Sequence, residues 1–439
     1  MVDTVVLIRR GCVCVLAGLL VAKLAGANPA ARAGPQPSLQ LTVNSNIDQA
    51  ATPPLDKGIC ATAYVDGKPN GICTLRAAID NANNWPGGST VITLPPLPPG
   101  ASYTLALGSL IISQTVTILG GGASQTIIDG SGAATQDSLM LVQAGALTLN
   151  GVTVQHGAEG GMRNFGSLTV IRSTVTANQG PDGGGISNDH ASLTVISSTV
   201  SDNQGNLGGG IYNEGFALVQ DSTLSGNTAG EGGGLYNSLD GELTLINSTV
   251  SNNFAIGNGG GLTNSFVAMA MSLSNVTVAG NIAGSQLDRT AAGGGLNSVV
   301  SAQLQDTLLA DNLASEFDPE RSVYFLTADD CAGSPKSLDY NLLSWINSDC
   351  TYTATLHDHT NAPAHLGLLQ NNGGPTRTRA LLPGSPAIDA IPNGVNGCGT
   401  AFRFDQRGFP RPAFGVHSFA CDIGAFELQQ TLDLPLLFR

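Results

Sequence analysis

Gly183-Gly184-Gly185-Ile186-Ser187-Asn188 is a phrase the chain writes again as Gly208-Gly209-Gly210-Ile211-Tyr212-Asn213 and once more as Gly232-Gly233-Gly234-Leu235-Tyr236-Asn237. A short apolar run follows each copy, then a Ser-Thr-Val type run ending in Asn, so the unit is about 24 to 27 residues long. Leu193–Val195 and Thr199–Val200 alternate as short strands do, and Asn and Gly rather than helical periodicity separate them. One unit cannot bury its apolar face. Stacked copies can, each strand pairing with its counterparts about 4.8 Å above and below. The pattern predicts an all-β solenoid of the parallel β-helix type.

Stacking puts like on like. Asn178, Asn203, Asn227, Asn253, Asn281 and Asn312 end the Ser-Thr-Val phrase in successive copies, while Asn164, Asn188, Asn213, Asn237 and Asn264 follow the Gly phrase. An amide carries donors and an acceptor, so both series are expected to bond along the axis as ladders. Asn also tolerates the left-handed turn conformation, and the glycines beside it permit a tight corner. Glycine runs also build phosphate-binding loops, but no copy is followed by Lys-Ser/Thr or by a helix, and periodic recurrence favours the structural use.

The chain has 439 residues, 57 of them glycine, and a net charge of -14 with only 18 Lys plus Arg. That balance argues against a nucleic-acid partner or an anionic membrane surface. Residues 1–33 carry Arg9-Arg10, an apolar run from Gly11 to Ala22, and small residues before candidate cleavage points, the pattern of an export signal. The run is short for a membrane span and Lys23 interrupts it, so no transmembrane span is expected in the mature chain. Cys12 and Cys14 lie inside the signal; the other six cysteines form local pairs, Cys60/Cys73, Cys331/Cys350 and Cys398/Cys421. Fifteen connectivities exist in principle, and proximity favours these three as disulfides in an exported protein.

Near the start, Leu39–Val43 reads as a strand and Thr74–Asn83 as a short amphipathic helix that Thr74 could cap. Cys73-Thr74-Leu75-Arg76-Ala77-Ala78-Ile79, with Cys60 ahead of it, resembles the CSLREC-type segment of bacterial secreted β-helix proteins, with Ala77 and Ala78 where that motif turns acidic. Residues 36–90 are therefore expected to cap the first coil, and residues 91–330 to form the coils. Beyond Cys331 the composition changes. Asn372-Gly373-Gly374-Pro375-Thr376, Leu381–Asp389, Asp405-Gln406-Arg407-Gly408 and Cys421–Glu427 resemble, in order, the choice-of-anchor Q domain of bacterial surface and secreted proteins. That resemblance implies a right-handed, single-stranded parallel β-helix ending in a disulfide-tied module over residues 331–428, with no activity attached. A short apolar tail, 429–439, follows. The surplus residues Ser285–Thr290 are expected to project as a loop.

Asp189 and Glu214 occupy equivalent places after the Gly phrase in adjacent copies, with Asp240 nearby, and Tyr212 and Tyr236 repeat at one position. Together they predict one exterior face for a ligand; the paired carboxylates could share a Ca²⁺ ion, the one cofactor the sequence suggests. A pectate-lyase-like lyase would need such a cation plus a base, and Arg163 or Arg289 are the arginines to consider. Asp329-Asp330 is a weaker pair, and His357-Asp358-His359 with His365 has metal-like spacing but lacks Cys or Glu partners. Arg407 is expected to bridge Asp389 or Asp422 structurally. No catalytic residue is assigned. The function expected is that of a secreted or cell-surface structural, adhesin-like protein; the alternative is an extracellular polysaccharide-binding or polysaccharide-degrading one. Glycans or cell-surface components are the partners that follow.

Overall fold

Residues of alternating polarity can lie flat only if one face is buried, and stacking closes that face into a tube. A computed structural model of the chain describes residues 38–429, apart from residue 56 and the segments 132–136, 267, 285–289, 301 and 414–418. The export-signal segment, Arg289, the start of the Ser285 loop and all of the tail but Gln429 fall outside the described residues. The chain winds as a right-handed parallel β-helix, the hand that parallel crossovers take. Three long sheets line it: an 11-stranded first sheet from Leu39–Thr42 to Lys336–Ser337, an 11-stranded second sheet from Tyr103–Thr104 to His359–Thr360, and a nine-stranded third sheet from Leu110–Ile112 to Cys331–Gly333.

Register is kept residue for residue. Leu168, Leu193, Ala217, Leu243 and Met271 stack inside the first sheet, Val175, Val200, Leu224 and Val250 inside the second, and Ile186, Ile211, Leu235 and Leu262 inside the third. All are buried. Each large aliphatic so placed contributes about 1.5–3 kcal/mol.

Corners are polar and satisfied along the axis. Nδ2 of Asn178, Asn203, Asn227, Asn253 and Asn281 donates to Oδ1 of the next Asn at 2.9–3.0 Å, and their backbone amides do the same at 3.0–3.1 Å. The glycine phrase belongs to this ladder. A Cβ on Gly210 would sit 3.1 Å from the Asn227 amide and 2.5 Å from the Gly234 carbonyl oxygen. Gly208 takes φ 62°, the left-handed turn into the strand. A second ladder runs from Asn164 through Asn188, Asn213 and Asn237 to Asn264 at 2.7–2.9 Å. A third, not anticipated, is made of hydroxyls: Ser198, Ser222 and Ser248 Oγ accept the backbone N–H of Ser173, Ser198 and Ser222 at 3.1 Å.

At the N-terminal end the helix Leu75–Asn84 covers the first coil with Leu75, Ala78, Ile79 and Ala82. Thr74 Oγ1 caps it by accepting from Ala77 N at 3.1 Å, and the Cys60–Cys73 disulfide ties its start. Arg76 is fixed by Asp48 at 2.6 Å and by the carbonyls of Gly108 and Ser109. No helix among the described residues is long and apolar enough to cross a membrane.

The expected boundaries shift at both ends. Leu39–Thr42 already pairs with Ser89–Leu94 as the first rung, so coiling begins well before residue 91. It also continues past Cys331: Cys331–Gly333, Lys336–Ser337, Leu342–Leu343 and His359–Thr360 extend the three sheets, and Cys331–Cys350 clips these last coils. Two-residue rungs keep the register without the composition of the earlier repeats. From about Ala364 the chain turns back and lies along the outer face of the second sheet. There Leu381, Ala387, Ile391, Ile423 and Phe426 bury against Leu308 and Leu342, and Cys398–Cys421 ties the module internally.

Candidate functional site

Arg163, Ser187, Tyr212 and Tyr236 are consecutive rungs on the outward side of the third sheet, each one residue before a ladder Asn. Asp189 and Glu214 follow that Asn, and their backbone amides donate to Asn164 O and Asn188 O at 2.9 Å each. With Asp182 from the preceding turn, and Asp137 and Glu159 at the rim, these residues line a cleft of about 300 Å³.

The cleft is acidic, yet its central groups are already engaged. Arg163 Nε donates to Asp189 Oδ2 at 2.7 Å and its guanidinium lies 4.8 Å over the Phe165 ring. Ser187 Oγ donates to the other Asp189 oxygen at 2.6 Å. Tyr212 Oη donates to Glu214 Oε1, and His190 Nδ1 lies 3.3 Å from Oε2. Burial, then the hydrogen bond to Glu214, pushes the Tyr212 phenol well above its ordinary range. Asp182 is also raised, first by burial and then by the charges of Asp189 and Glu214.

Tyr212 and Tyr236 stack with ring centroids 6.0 Å apart, but Tyr212 is only 8% exposed, so the pair forms a wall and not an open aromatic platform. Phe165, Phe216 and Phe266, where the chain passes from the third sheet to the first, are exposed. Asp240 is not brought into the cleft. Two residues separate Asn213 from Phe216 but four separate Asn237 from Glu242, the register partner of Phe216, so the longer turn carries Asp240 out to solvent. Asp189 accepts from Arg163 and Ser187, and Glu214 accepts from Tyr212, so both carboxylates already have donors. Among the described residues no three His, Cys, Asp or Glu side chains converge as a metal site would.

Sequence reasoning left Arg163 unplaced, although its position before Asn164 matches that of Ser187 before Asn188 and was the available signal. The remaining candidates lie away from the cleft, among the last coils and the C-terminal module. Asp330 is fully buried and accepts from Asn312 Nδ2 at 2.8 Å, Ser344 and Trp345, ending the first amide ladder. Burial raises Asp329 to about 6. His357 bonds Asp339 at 2.7 Å and stacks on Tyr340, while Asp358 accepts from Asn341, Tyr352 and Thr355. Arg407 pairs with Asp405 at 2.6 Å, not with Asp389 or Asp422; it is Arg411 that faces the buried Glu427, at 3.3 Å.

No protein-family model and no curated protein sequence matches the chain, so the resemblances to the CSLREC segment and the choice-of-anchor Q module rest on their quoted residues alone. Among solved structures, that of pectate lyase Pel9A superposes with a TM-score of 0.50, covering 89% of this chain and 97% of the other at 14% identity. The likeness is one of fold. It joins the sheet topology in making this chain a parallel β-helix, and it assigns no chemistry to the cleft.

Proposed function

We propose that the protein is a secreted or cell-surface β-helix of the adhesion type that binds a polysaccharide in the Arg163–Glu214 cleft without cleaving it. The observation that carries this is the mutual engagement of Arg163 with Asp189 and of Tyr212 with Glu214, which leaves neither a free base nor a free nucleophile among these four groups. The carboxylates at the rim suit sugar hydroxyls or ammonium groups and repel a polyuronate. Three disulfides support an oxidising compartment, and the resemblance of the C-terminal module to surface-protein modules supports the cell exterior. Calorimetric titration with chitosan oligomers and with polygalacturonate, the latter with and without Ca²⁺, tests the reading. Binding of the amine-bearing sugar, weakened in Asp189→Asn, is expected; unsaturated products from polygalacturonate would overturn it.

One observation favours hydrolysis as a second reading. Asp182 is pushed toward its protonated form beside two carboxylates, an environment in which one carboxyl can give a proton while a neighbour stays ionised. New reducing ends from a neutral polysaccharide, absent with Asp182→Asn, would establish it.

A further inference from the structure

The outward side of the second sheet carries two rows of hydroxyls in register. One runs Thr174, Thr199, Thr223, Thr249, Thr277; the other runs Thr176, Ser201, Ser225, Ser251. Over the later coils the C-terminal module sits on these rows and reads them through hydrogen bonds. Thr223 Oγ1 donates to Arg377 O at 2.6 Å, and Thr249 Oγ1 donates to Gln406 Oε1 at 2.6 Å. Gln406 Nε2 returns a bond to Thr223 at 2.9 Å, Arg379 Nε donates to Ser251 Oγ at 2.9 Å, and Ala425 N donates to Thr277 Oγ1 at 3.0 Å. The grid therefore serves as a recognition surface for a polar chain within the molecule itself.

Coverage stops at Thr223. In the two preceding coils the same rows are half-buried and open, and the turn Asn371–Arg377 stands over them as a wall. Between wall and rows lies a groove of about 550 Å³. Among the described residues the hydroxyls of Thr174, Thr199 and Ser225, the Asp202 carboxylate and the Arg377 guanidinium have no hydrogen-bond partner in the protein. The cleft near Arg163 differs, because its central groups satisfy one another. Gly226 keeps the groove in shape: a Cβ there would meet Asp202 Oδ1 at 2.4 Å, and its φ is 67°. The wall adds two apolar surfaces, Leu369 and Pro375.

We propose that this groove is a second binding site, separate from the cleft and going beyond the reading given above, for a neutral polysaccharide chain held edge-on. The hydroxyl rows repeat at the strand spacing of about 4.8 Å along the axis and at about 7 Å along each strand. A saccharide presents hydroxyls around the rim of each ring and a C–H face across it. The rim meets Thr174, Thr199 and Ser225, the charged pair Asp202 and Arg377 brackets it, and the C–H face rests on Leu369 and Pro375. The lining is chiefly polar, with Leu369 and Pro375 as its apolar part, which suits a chain that presents many hydroxyls.

The test is titration of the intact chain with cellohexaose, xylohexaose, mannohexaose and maltohexaose, followed by calorimetry. Binding of at least one is expected. Thr199→Trp fills the groove at a strand position that tolerates an aromatic and should abolish binding, while Asp202→Asn and Arg377→Ala should each weaken it about tenfold. Unchanged melting of these variants shows that the module stays docked. Arg163→Ala separates the two sites: titration like the wild type supports the groove. Loss of binding in Arg163→Ala with retention in Thr199→Trp overturns the groove and leaves the cleft as the binder, and a wild type that binds none of the four hexasaccharides overturns it as well.

Discussion

In the coils from Gly183 to Asn253 and in the module from Ala364 to Leu428, buried polar groups are satisfied by opposite strategies. In the coils each ladder Asn and each corner Ser bonds its own counterpart one turn away, so one solution is repeated. In the module buried polar groups have individual partners: Gln406 has Thr223 and Thr249, and Arg379 has Ser251 and Asn252. Arg411 has Asn275, Gly424 and Glu427, and Asn396 has Asp306. Repetition spreads the loss of one member over identical neighbours, whereas an individual pairing leaves a specific group stranded.

The sharpest way to break the comparison is Arg411→Met. Its guanidinium, fully buried, is the cation facing Glu427, and the Asp422 carboxyl lies within the same electrostatic cluster. Removing it should cost about 3–5 kcal/mol in urea unfolding, the figure for breaking a buried ion pair from one side. Hydrogen exchange should show the loss concentrated in the module, with the coils around Asn203 still protected.

Asn227→Leu probes the other strategy. It strands the donors of Asn203 and the carbonyl of Val200, and should cost about 3 kcal/mol. Asn206→Leu, exposed and outside the ladder, should stay within about 0.5 kcal/mol. Equal losses at the two positions would show that the ladder is not what holds the coils in register.

Acidity should act on the seam more than on the coils. Burial lifts Asp306 from the ordinary 3.8 to about 7, against the hydrogen bonds of Asn396 and Gln305 and the charge of Arg411, with Asp339 adding to the rise. Asp422 and Glu427 are raised too, by burial first. A carboxyl raised in the folded state favours folding below its unfolded value of 3.8, and that contribution is lost as pH climbs through about 7. The module should therefore dock more firmly at pH 5 than at pH 8, by on the order of 2 kcal/mol in exchange protection. Asp306→Asn should flatten the difference.

The smallest effect is expected at the cleft. Arg163→Ala removes an ion pair whose arginine side chain is 48% exposed, and should change the melting midpoint by the equivalent of about 1 kcal/mol or less. A larger loss would mean that the cleft is a structural joint.

What was legible in the sequence follows the same divide. The period, the Asn ladders and the inward Leu and Val rows could be read because repetition writes each contact several times. So could the three disulfides, whose partners lie close in the chain. Arg163 is named in the sequence as a candidate base but its place beside Asp189 is not legible, because it stands in the last coil before the glycine phrase becomes regular; the serine ladder is hidden because Ser173, Ser198 and Ser222 look like ordinary members of a strand. Asp240 was placed in the cleft because sequence spacing does not show that its turn is two residues longer. The return of the module along the second sheet was invisible: Gln406 meets Thr223 across 183 residues, and nothing local to either residue announces the other.

The first amide ladder has a polarity. Every side-chain amide of the row gives one proton to the side-chain oxygen of the C-terminal coil and the other to a backbone carbonyl of the coil before, so the Nδ2–Oδ1 series runs one way from Asn178, whose Oδ1 takes Gly157 N, to Asn312. Asp330, which takes those last protons, is a carboxylate with none to pass on. Asp358 does the same for Asn341. Each acts as a full stop in a grammar of amides. A duplicated unit inserted between Asn227 and Asn253 would be read through, its new amide both giving and receiving, while the same unit placed after Asp330 would find no proton offered to it. The amide row can thus lengthen by internal duplication, whereas the coils beyond Asp330 are held to it by other pairings.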